Sequence, residues 1–586
     1  MAEKRAAAPK KQKSFEQTLW DTADKLRGSV ESSEYKHVVL SLIFLKFVSD
    51  KFEERKAELI VEGKEAYVGM VDFYTMKNVF YLPEESRWSY IQKNAKQDDI
   101  AVKIDTALHT VEKHNKSLRG ALPDNYFSRL GLDVSKLSAL IDSINNIDTV
   151  EDKEEDVVGR VYEYFLGNFA ATEGKGGGEF YTPKCVVNLI AEMIEPYRGK
   201  IYDPCCGSGG MFVQSIKFVE SHQGSKKDIS IYGQEQTATT YKLSKMNLAI
   251  RGISANLGEV PADTFFKDQH QDLKADFIMA NPPFNLKEWR ATDELTDDPR
   301  WAGYEVPPTG NANYAWILHM VSKLSANGTA GFVLANGSMS TNSSGEGKIR
   351  QKLIENDLID CMIALPGQLF YTTQIPVCLW FITKNKRPHP IPLPKGEGED
   401  LGEGPQMFRD RSGETLFIDA RNMGSMIDRT HKELTADDIA EITATYHAWR
   451  GEPVTQTLSQ GERVSTSLPS PSGRGAGGEG YQETPGCATA MDGGSADIAG
   501  ANIGQRRDPY KDVAGFCRSA TLDDIKANDY VLTPGRYVGA AEIEDDGIPF
   551  EEKMRELTQT LYGQMAESEK LDAEIRKNLE VLGYGE

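Results

Sequence analysis

The first part of the chain carries apolar residues at helical spacing. One run places its apolar side chains on a single helical face: Leu40, Ile43, Phe44, Phe47 and Val48. Residues 14–17, Ser-Phe-Glu-Gln, have the form of a capping box and predict that an earlier helix begins there. Few β-branched alternations occur before about residue 170. We therefore predict an all-helical N-terminal domain over residues 14–170, behind a disordered Lys- and Ala-rich tail at 1–13.

Beyond residue 170, short apolar runs alternate with helical patterns. The predicted strands are 201–203, 229–235, 276–280, 330–335, 359–365, 377–382 and 416–419. The predicted helices are 184–197, 211–220 and 237–250. Such alternation predicts an α/β domain with a doubly wound, mostly parallel sheet and helices on both faces. We assign it to residues 171–454.

Two stretches interrupt this domain because they are too poor in apolar residues to bury a core. They are residues 388–414 and 455–505, both of low complexity, and we predict exposed loops or insertions there. The composition typical of a folded segment resumes after this stretch, and we assign residues 506–550 to the same domain.

A long helix is predicted for the C-terminal segment, residues 551–586. Six of its nine heptad positions are apolar: Met554, Leu557, Leu561, Leu571, Ile575 and Leu582 are apolar, while Gln564, Ser568 and Asn578 are polar. The stripe predicts a docking helix for a partner. Packing against its own domain is the alternative.

Composition limits the kinds of partner and compartment. Lys and Arg number 67 against 88 Asp and Glu, a net charge of −21. This argues against a broad basic surface that grips nucleic acid unaided, but leaves room for a basic cleft or a basic partner. The seven cysteines form no CxxC pair, so zinc-ribbon spacing and a thioredoxin-like motif are both absent from the sequence, and so few thiols in so long a chain favour a reducing compartment. Residues 1–14 are not a signal peptide and residues 38–48 are too short to span a bilayer, so we expect a cytoplasmic protein with no membrane partner.

A strand end, a glycine-rich turn and a helix start follow one another at residues 201–212, Ile-Tyr-Asp-Pro-Cys-Cys-Gly-Ser-Gly-Gly-Met-Phe. Glycines let the backbone approach a ligand closely, and a helix N-terminus favours a carboxylate or phosphate. The spacing is not GxGxxG, so a dinucleotide-binding fold does not match, while a purely structural turn stays open. Glu235 ends the next strand, where an acid can hydrogen-bond ribose hydroxyls in doubly wound folds.

The predicted strand at 276–280 runs directly into Asn281-Pro282-Pro283-Phe284. Pro282 biases Asn281 toward an extended backbone, and the two prolines stiffen the exit from the sheet. The loop therefore presents an amide oxygen, a backbone carbonyl and an aromatic face in a fixed relation. That combination suits a planar substrate with an exocyclic amine.

Together these motifs resemble the amino-methyltransferases that use S-adenosylmethionine. The order of residues 178–183 (Gly-Glu-Phe-Tyr-Thr-Pro), 203–210 and 281–284 is similar to that of N6-adenine DNA methyltransferases, in which the cofactor motifs precede the catalytic one. The helical N-terminus and residues 365–376, Leu-Pro-Gly-Gln-Leu-Phe-Tyr-Thr-Thr-Gln-Ile-Pro, resemble the modification (M) subunit of type I restriction–modification systems. The resemblance implies a Rossmann-like methyltransferase sheet.

The resemblance also implies a role for each matching residue. The methionine end of the cofactor would be lined by Glu179, Phe180, Tyr181, Thr182, Pro183 and Lys184. Its amino-acid part would be framed by Asp203, Ser208, Gly209 and Gly210. Glu235 would hold the ribose hydroxyls, and Asp263 would lie near the cofactor's adenine. The catalytic residues would be Asn281, Pro282, Pro283 and Phe284, and we predict no metal site.

The implied reaction transfers a methyl group from S-adenosylmethionine to N6 of a flipped-out adenine. A sulfonium methyl is already electrophilic, so no covalent nucleophile is required, and we interpret Cys205 and Cys206 as small residues of the turn. The adenine amine would donate hydrogen bonds to the Asn281 side-chain oxygen and the Pro282 carbonyl, while Phe284 stacks on the base. Flipping is needed because a base inside a duplex cannot reach such a pocket.

The implied partners are double-stranded DNA, a specificity (S) subunit that binds two copies of this chain, and a restriction (R) motor-nuclease subunit. No evident pair of target-recognition domains follows the catalytic region and no GxxxxGK[ST] motif occurs, so specificity and nuclease action would lie on other chains. Two other function classes stay open. They are methylation of protein glutamine or RNA, which Asn-Pro-Pro-aromatic motifs also serve, and a non-catalytic structural subunit of a DNA-binding complex.

Overall fold

The structure is a computed structural model that describes ten stretches of the chain. They are residues 20–21, 32–146, 164, 182–222, 224–370, 375–387, 408–427, 431–451, 510–540 and 550–581. The predicted tail at 1–13, the predicted loop at 455–505 and most of the predicted insertion at 388–414 lie outside them. The chain divides into two compact units, Met1–Val538 and Gly539–Glu586.

The described residues of the predicted N-terminal domain are helical, which confirms that prediction for 32–146. The helices are α1 (Ser32–Val61), α2 (Asp72–Thr75), α3 (Trp88–Asn94), α4 (Ile100–His114), α5 (Tyr126–Arg129) and α6 (Val134–Asn145). The apolar face of α1 is buried in their core, at Leu40, Ile43, Phe44 and Val48. Leu243, Met246 and Ile250, from a helix of the sheet domain, join the same core. The two parts of this unit therefore share a continuous apolar contact.

The sheet domain alternates strands and helices. Its strands are β1 (Gly199–Asp203), β2 (Ile229–Gly233), β3 (Ala255–Asn256), β4 (Ala275–Ala280), β5 (Leu324–Ala335), β6 (Ile359–Ala364), β7 (Val377–Thr383), β8 (Glu414–Asp419), β9 (Ser425–Met426), β10 (Lys432–Glu433) and β11 (Cys517–Thr521). Its helices are α7 (Lys184–Ile194), α8 (Gly210–Ser221), α9 (Ala238–Ile250), α10 (Asn313–Lys323), α11 (Glu346–Glu355), α12 (Ala436–Arg450) and α13 (Leu522–Ala527). Every strand and helix predicted between residues 184 and 419 is present, and the bounds agree within about three residues except for β5, which begins at Leu324 rather than at residue 330.

Nine of the described strands form one sheet in the order β11-β8-β6-β7-β5-β4-β1-β2-β3. The pairs on either side of β1 are parallel, as are β2 with β3, β4 with β5 and β6 with β8. β7 is antiparallel to both β5 and β6, and β11 is antiparallel to β8. The sheet is mostly parallel, as predicted. The strand order reverses between β1 and β4, because β2 and β3 lie on one side of β1 whereas β4 and β5 lie on the other. In open α/β sheets, ligands bind beyond the carboxyl ends of the strands at such a switch point.

Helices cover both faces of the sheet, as the alternation predicts. Along β4, Phe277 and Met279 pack in the layer that contains α7, α8 and α12. Ile278 and Ala280 point the other way, into the layer that contains α10 and α11. Because both faces are buried, β4 reads as a continuous apolar run rather than an alternating one.

The prediction of an exposed loop is wrong for residues 408–414. Phe408 and Arg411 are only 3% and 2% exposed. Arg411 Nε lies 3.3 Å from Oδ1 of Asp360, which is itself buried, and β8 already begins at Glu414. The glycine- and charge-rich composition of this segment gives no sign that Phe408 and Arg411 are buried. The partner of Arg411 lies 51 positions earlier in the sequence, so a local pattern does not reveal the contact.

The second unit contains one long helix, α14 (Phe550–Val581), as the heptad pattern predicts. Its apolar stripe is exposed, at Met554, Leu557, Leu561, Leu571 and Ile575. Docking through this stripe stays a prediction. Within the described stretches, no helix combines the length and apolar character needed to cross a membrane.

Candidate active site

The carboxyl ends of β1, β2 and β4 meet at one edge of the sheet. β1 pairs in parallel with β2, where Asp203 opposes Gly233, and with β4, where Tyr202 opposes Ile278. The glycine turn, Glu235 and Asn281 directly follow these three strands. The structure therefore brings together motifs that are far apart in the sequence.

The glycine turn after β1 is closed against the end of β2 by backbone hydrogen bonds. Gln234 N donates to Asp203 O at 3.0 Å, and Cys206 N donates to Gln234 O at 2.9 Å. Gly209 precedes α8 with a φ of +82°, and a Cβ there would lie 2.9 Å from Ser244 Oγ. Glycine is therefore required at 209 by both its backbone conformation and the space available.

Asp203 lies buried at the base of this turn, with Cys205 N donating to Oδ1 at 3.0 Å. Burial raises the pKa of Asp203 to about 7, and the negative charge of Glu235 adds to that rise, while the hydrogen bonds from Cys205 oppose it. A cationic group beside Asp203 would favour its ionised form and lower the pKa again. The turn is therefore suited to a ligand with a positive charge.

The two cysteines of the turn are not activated. Burial raises the pKa of both Cys205 and Cys206 well above the usual thiol range, and the charge of Asp203 raises both further. A thiol in this state is a poor nucleophile. This agrees with the interpretation of both residues as small parts of the turn.

Glu235 is held by backbone donors on both carboxylate oxygens. Oε2 accepts from Gly207 N at 3.1 Å, and Oε1 accepts from Thr237 N at 2.7 Å. These bonds fix the carboxylate beside the glycine turn. A carboxylate is an acceptor for hydrogen bonds, so it is the kind of group that can hold a ligand hydroxyl.

The segment around Asp263 lies against the same turn. Thr264 Oγ1 donates to Pro204 O at 2.6 Å, which ties this segment to the residue after Asp203. Asp263 is half-buried, and its Oδ1 accepts from Phe265 N at 2.7 Å. The structure thus places Asp263 near the other predicted cofactor residues.

Two polar residues that the sequence analysis missed position this segment. Gln234 is fully buried, and its Nε2 donates to Ala262 O at 3.0 Å. The Arg300 guanidinium donates to Thr264 O at 3.1 Å and to Phe265 O at 2.6 Å. The sequence offers little signal for either, since Gln234 stands beside the more conspicuous Glu235 and Arg300 lies in a loop without a motif.

The Asn281 amide has one end occupied and the other free. Its Nδ2 donates to Thr182 Oγ1 at 2.9 Å. Its Oδ1 is buried, and no donor among the described residues reaches it. A buried acceptor without a donor is unfavourable by roughly 1–3 kcal/mol, so Oδ1 is a place where a ligand donor would be stabilised.

An aromatic pair lies beside the end of β4. The Phe284 and Phe370 rings are 5.9 Å apart at an interplanar angle of 71°. Phe370 belongs to the 365–376 motif, and the sequence analysis gave it no role. The loop after Phe284 is fixed by Asn313, because Asn285 N donates to Asn313 Oδ1 at 3.0 Å and Asn313 Nδ2 returns a bond to Asn285 Oδ1 at 2.9 Å.

Some of the remaining predicted site residues are described by the structure, and others are not. Glu179, Phe180 and Tyr181 lie outside the described residues. Pro183 is buried at the N-terminus of α7, and Lys184 is exposed at its first position. Ser208 and Gly210 flank Gly209 and are half-buried, as is Pro283, whereas Pro282 is buried. The roles of these residues stay predictions.

Two protein families match the chain. Residues 153–467 and 496–546 match the family described as N-6 DNA Methylase, and residues 15–144 match the HsdM N-terminal domain. The HindI type I restriction enzyme methylase subunit of Haemophilus influenzae is 43% identical over 524 residues, which cover 86% of this chain and 100% of that relative. The MjaIX methylase subunit of Methanocaldococcus jannaschii is 37% identical over 590 residues, which cover 97% and 92%.

Solved structures share the fold. The type I restriction-modification system methyltransferase subunit from Streptococcus thermophilus superposes with a TM-score of 0.65 at 21% identity, covering 89% of this chain and 99% of that one. A chain from a structure concerning complex assembly and conformational transition of the type I R-M system gives a TM-score of 0.53 at 16% identity, covering 99% and 100%.

Proposed function

The chain belongs to the N-6 DNA methylase family, and from this premise we propose that it is the modification subunit of a type I restriction–modification complex that methylates adenine at N6. The proposed donor is S-adenosylmethionine and the proposed substrate is a flipped-out adenine in double-stranded DNA. The observation that carries the proposal is the buried Oδ1 of Asn281 at the end of β4, which accepts no hydrogen bond from any residue that the structure describes.

An exocyclic amine is the group that Asn281 Oδ1 is suited to receive. The N6 amine of adenine has two hydrogens to donate, one for Asn281 Oδ1 and one for the Pro282 carbonyl. Both hydrogen bonds favour a tetrahedral nitrogen whose lone pair is withdrawn from the ring and directed outward. Phe284, in contact with Phe370, would stack on the base, and base–aromatic stacking contributes about 1–3 kcal/mol.

The residues at the switch point fit S-adenosylmethionine. This cofactor supplies a methyl group on a cationic sulfur, together with an ammonium group. Asp203, whose pKa is raised to about 7 by burial, would be stabilised in its ionised form by that ammonium group. Ser208, Gly209 and Gly210 would frame the amino-acid part, and Glu235 would accept from the ribose hydroxyls.

The rest of the cofactor would lie against two neighbouring segments. Asp263 is proposed to face its adenine, in a segment that Gln234 and Arg300 hold in place. Residues 179–184 are proposed to line its methionine end. The raised pKa values of the Cys205 and Cys206 thiols argue against a covalent intermediate on this turn. Much of the rate acceleration would then come from holding the target amine and the methyl group in the correct relative position.

Partners are needed because a chain of net charge −21 is poorly suited to neutralise DNA phosphates alone. The relatives are named as subunits of type I restriction enzymes. We propose that a specificity subunit recognises the DNA and binds two copies of this chain through the exposed stripe of α14. A motor-nuclease subunit would join this assembly for restriction.

A methyl-transfer assay with three substrates tests the proposed function. The purified complex of this chain and its specificity subunit is incubated with radiolabelled S-adenosylmethionine and DNA, RNA or protein. We expect label in DNA, recovered as N6-methyladenine. Label mainly in RNA or in protein glutamine would favour the rival enzymes, and no label with any substrate would favour a structural subunit.

A further inference from the structure

We propose that Thr182 is a positioning residue for methyl transfer. Its hydroxyl holds the Asn281 amide by the NH2 end, so that Oδ1 alone faces the target amine. The inference rests on the proposed function for the identity of that amine. It differs from the role that family resemblance gives the segment, which is to line the cofactor.

Both partners of this hydrogen bond lie next to a proline at the end of a regular element. Thr182 precedes Pro183, whose carbonyl accepts from Val186 N at 3.0 Å and thereby begins α7. Asn281 directly follows β4 and precedes Pro282, which restricts its backbone. The 2.9 Å contact between Thr182 Oγ1 and Asn281 Nδ2 therefore joins the start of α7 to the end of β4.

The chemistry requires this orientation of the amide. A primary amide is planar, with a donor at one end and an acceptor at the other, and rotation about χ2 exchanges them. With the NH2 end turned toward the substrate, an amide donor would meet an amine donor and the acceptor bond would be lost. Occupation of Nδ2 by Thr182 is consistent with the buried Oδ1, for which the described part of the chain supplies no donor.

A role in positioning predicts kinetic effects that a cofactor ligand would not give. Thr182→Val keeps the shape of the side chain but removes the hydroxyl, whereas Thr182→Ser keeps the hydroxyl and removes the methyl. The matched control is Thr445→Val on α12, where the hydroxyl donates to Glu441 O of its own helix at 2.8 Å. All variants are tested in the complex with the specificity subunit, on plasmid DNA carrying the recognition site mapped by methylome sequencing.

In Thr182→Val, we expect the single-turnover rate at saturating DNA and S-adenosylmethionine to fall about tenfold or more, as for a lost hydrogen bond at a catalytic group. Cofactor affinity by calorimetry should stay within about threefold. Thr182→Ser should recover most of the rate that Thr182→Val loses, and Thr445→Val should stay near the wild-type rate. A wild-type rate for Thr182→Val would overturn the proposal, as would a Thr182→Ser as slow as Thr182→Val. A loss confined to cofactor affinity would make Thr182 a cofactor ligand instead.

A second readout does not depend on activity. In protein labelled with ¹⁵N-asparagine, the side-chain signal of Asn281 is identified by its loss in Asn281→Asp. We expect that signal to shift and its protons to exchange faster in Thr182→Val, but not in Thr182→Ser. An unchanged signal would overturn the proposed contact. A hydroxyl-dependent signal in a complex that leaves adenine unmethylated would instead contradict the proposed function and leave the contact standing.

Discussion

Gly207 donates its backbone N–H to Glu235 Oε2 at 3.1 Å, which joins the glycine turn after β1 to the acid after β2. The two segments of the proposed cofactor site are therefore connected, and we expect substitutions in either segment to affect binding of the same ligand.

Glu235→Ala should weaken S-adenosylmethionine binding about ten- to a hundredfold, because it removes a charged acceptor proposed to hold the ribose. Isothermal titration measures this effect. Glu220→Ala is a matched control, since Glu220 is exposed at the end of α8, with Oε1 3.5 Å from Lys226 Nζ. Unchanged affinity in Glu235→Ala would show that the ribose assignment is wrong.

Substitutions of Gly207 and Gly209 should distinguish two causes of lost stability and cofactor affinity, which are backbone strain and steric crowding by the new side chain. Gly207 has a φ of +53° and open space around its missing Cβ, so Gly207→Val should suffer from the left-handed backbone, which disfavours L residues by about 1–2 kcal/mol. Gly207→Asn should be milder, because asparagine tolerates this conformation. Gly209→Val should be worse than either, since its Cβ would also press on Ser244.

Thermal unfolding and cofactor titration of these three variants check the order. Both Val variants should bind S-adenosylmethionine more weakly than wild type. Equal losses in Gly207→Val and Gly207→Asn would rule out strain as the cause at position 207.

The pKa of Asp203, raised to about 7 by burial, predicts a pH-dependent affinity for the cofactor. Its raised pKa means that the free protein carries more of the neutral acid below pH 7, whereas a cationic ligand prefers the carboxylate. Affinity should therefore rise as pH rises from 6 to 7.5, by up to about eightfold if only the ionised form binds. Calorimetry over this range should show the rise in wild type and its absence in Asp203→Asn. The same slope in both proteins would contradict the assignment.

In the protein without cofactor, the contribution of Asp203 to the free energy of unfolding should fall as pH rises, whereas its contribution to cofactor affinity should increase. Its folded pKa lies above the usual value near 3.8, so the folded state binds the extra proton in the window between the two values. The contribution of Asp203 to stability is thus lost as pH rises from about 4 to 7. The Asp203→Asn variant, compared with wild type by chemical denaturation, isolates this contribution.

Removing residues 551–586 should abolish co-purification with the specificity subunit while leaving cofactor binding intact. A finer test is the double variant Leu557→Asp and Leu561→Asp, since both side chains are exposed and their loss should not unfold the protein. Gln559→Asp, at an exposed polar position of the same helix, is the control. Normal assembly of the truncated chain would refute the docking role of α14.

The sequence predicts the strands well where apolar runs end in distinctive residues. The sequence predicts that β1 ends at Asp203 and that β4 ends immediately before Asn281, and the structure has both strand ends at these positions. β5 is different, because it begins at Leu324 rather than near residue 330. Its first half is polar and glycine-containing, and it pairs with β4 only where Leu324 opposes Ala275, before a register shift that leads to the regular pairing from Thr329 and Phe277 onward.

The long-range partners were beyond the reach of sequence patterns. Thr182 meets Asn281 across 99 positions, and Arg300 reaches Phe265 across 35. Such contacts depend on how strands are ordered in the sheet, which local propensity does not encode. The motifs predict which residues form the site, and that assignment stays a prediction, whereas the fold shows which of these residues contact one another.

The most direct test is the rate of N6-methyladenine formation by Asn281→Ala in the assembled complex, measured under single-turnover conditions together with cofactor affinity. The matched control is Asn327→Ala, an exposed asparagine in the first half of β5, outside the predicted site. We expect methylation to be lost in Asn281→Ala while S-adenosylmethionine binds within about threefold of wild type, and the control to remain active. Retained adenine methylation in Asn281→Ala would contradict the assignment of Asn281 as the acceptor for the target amine.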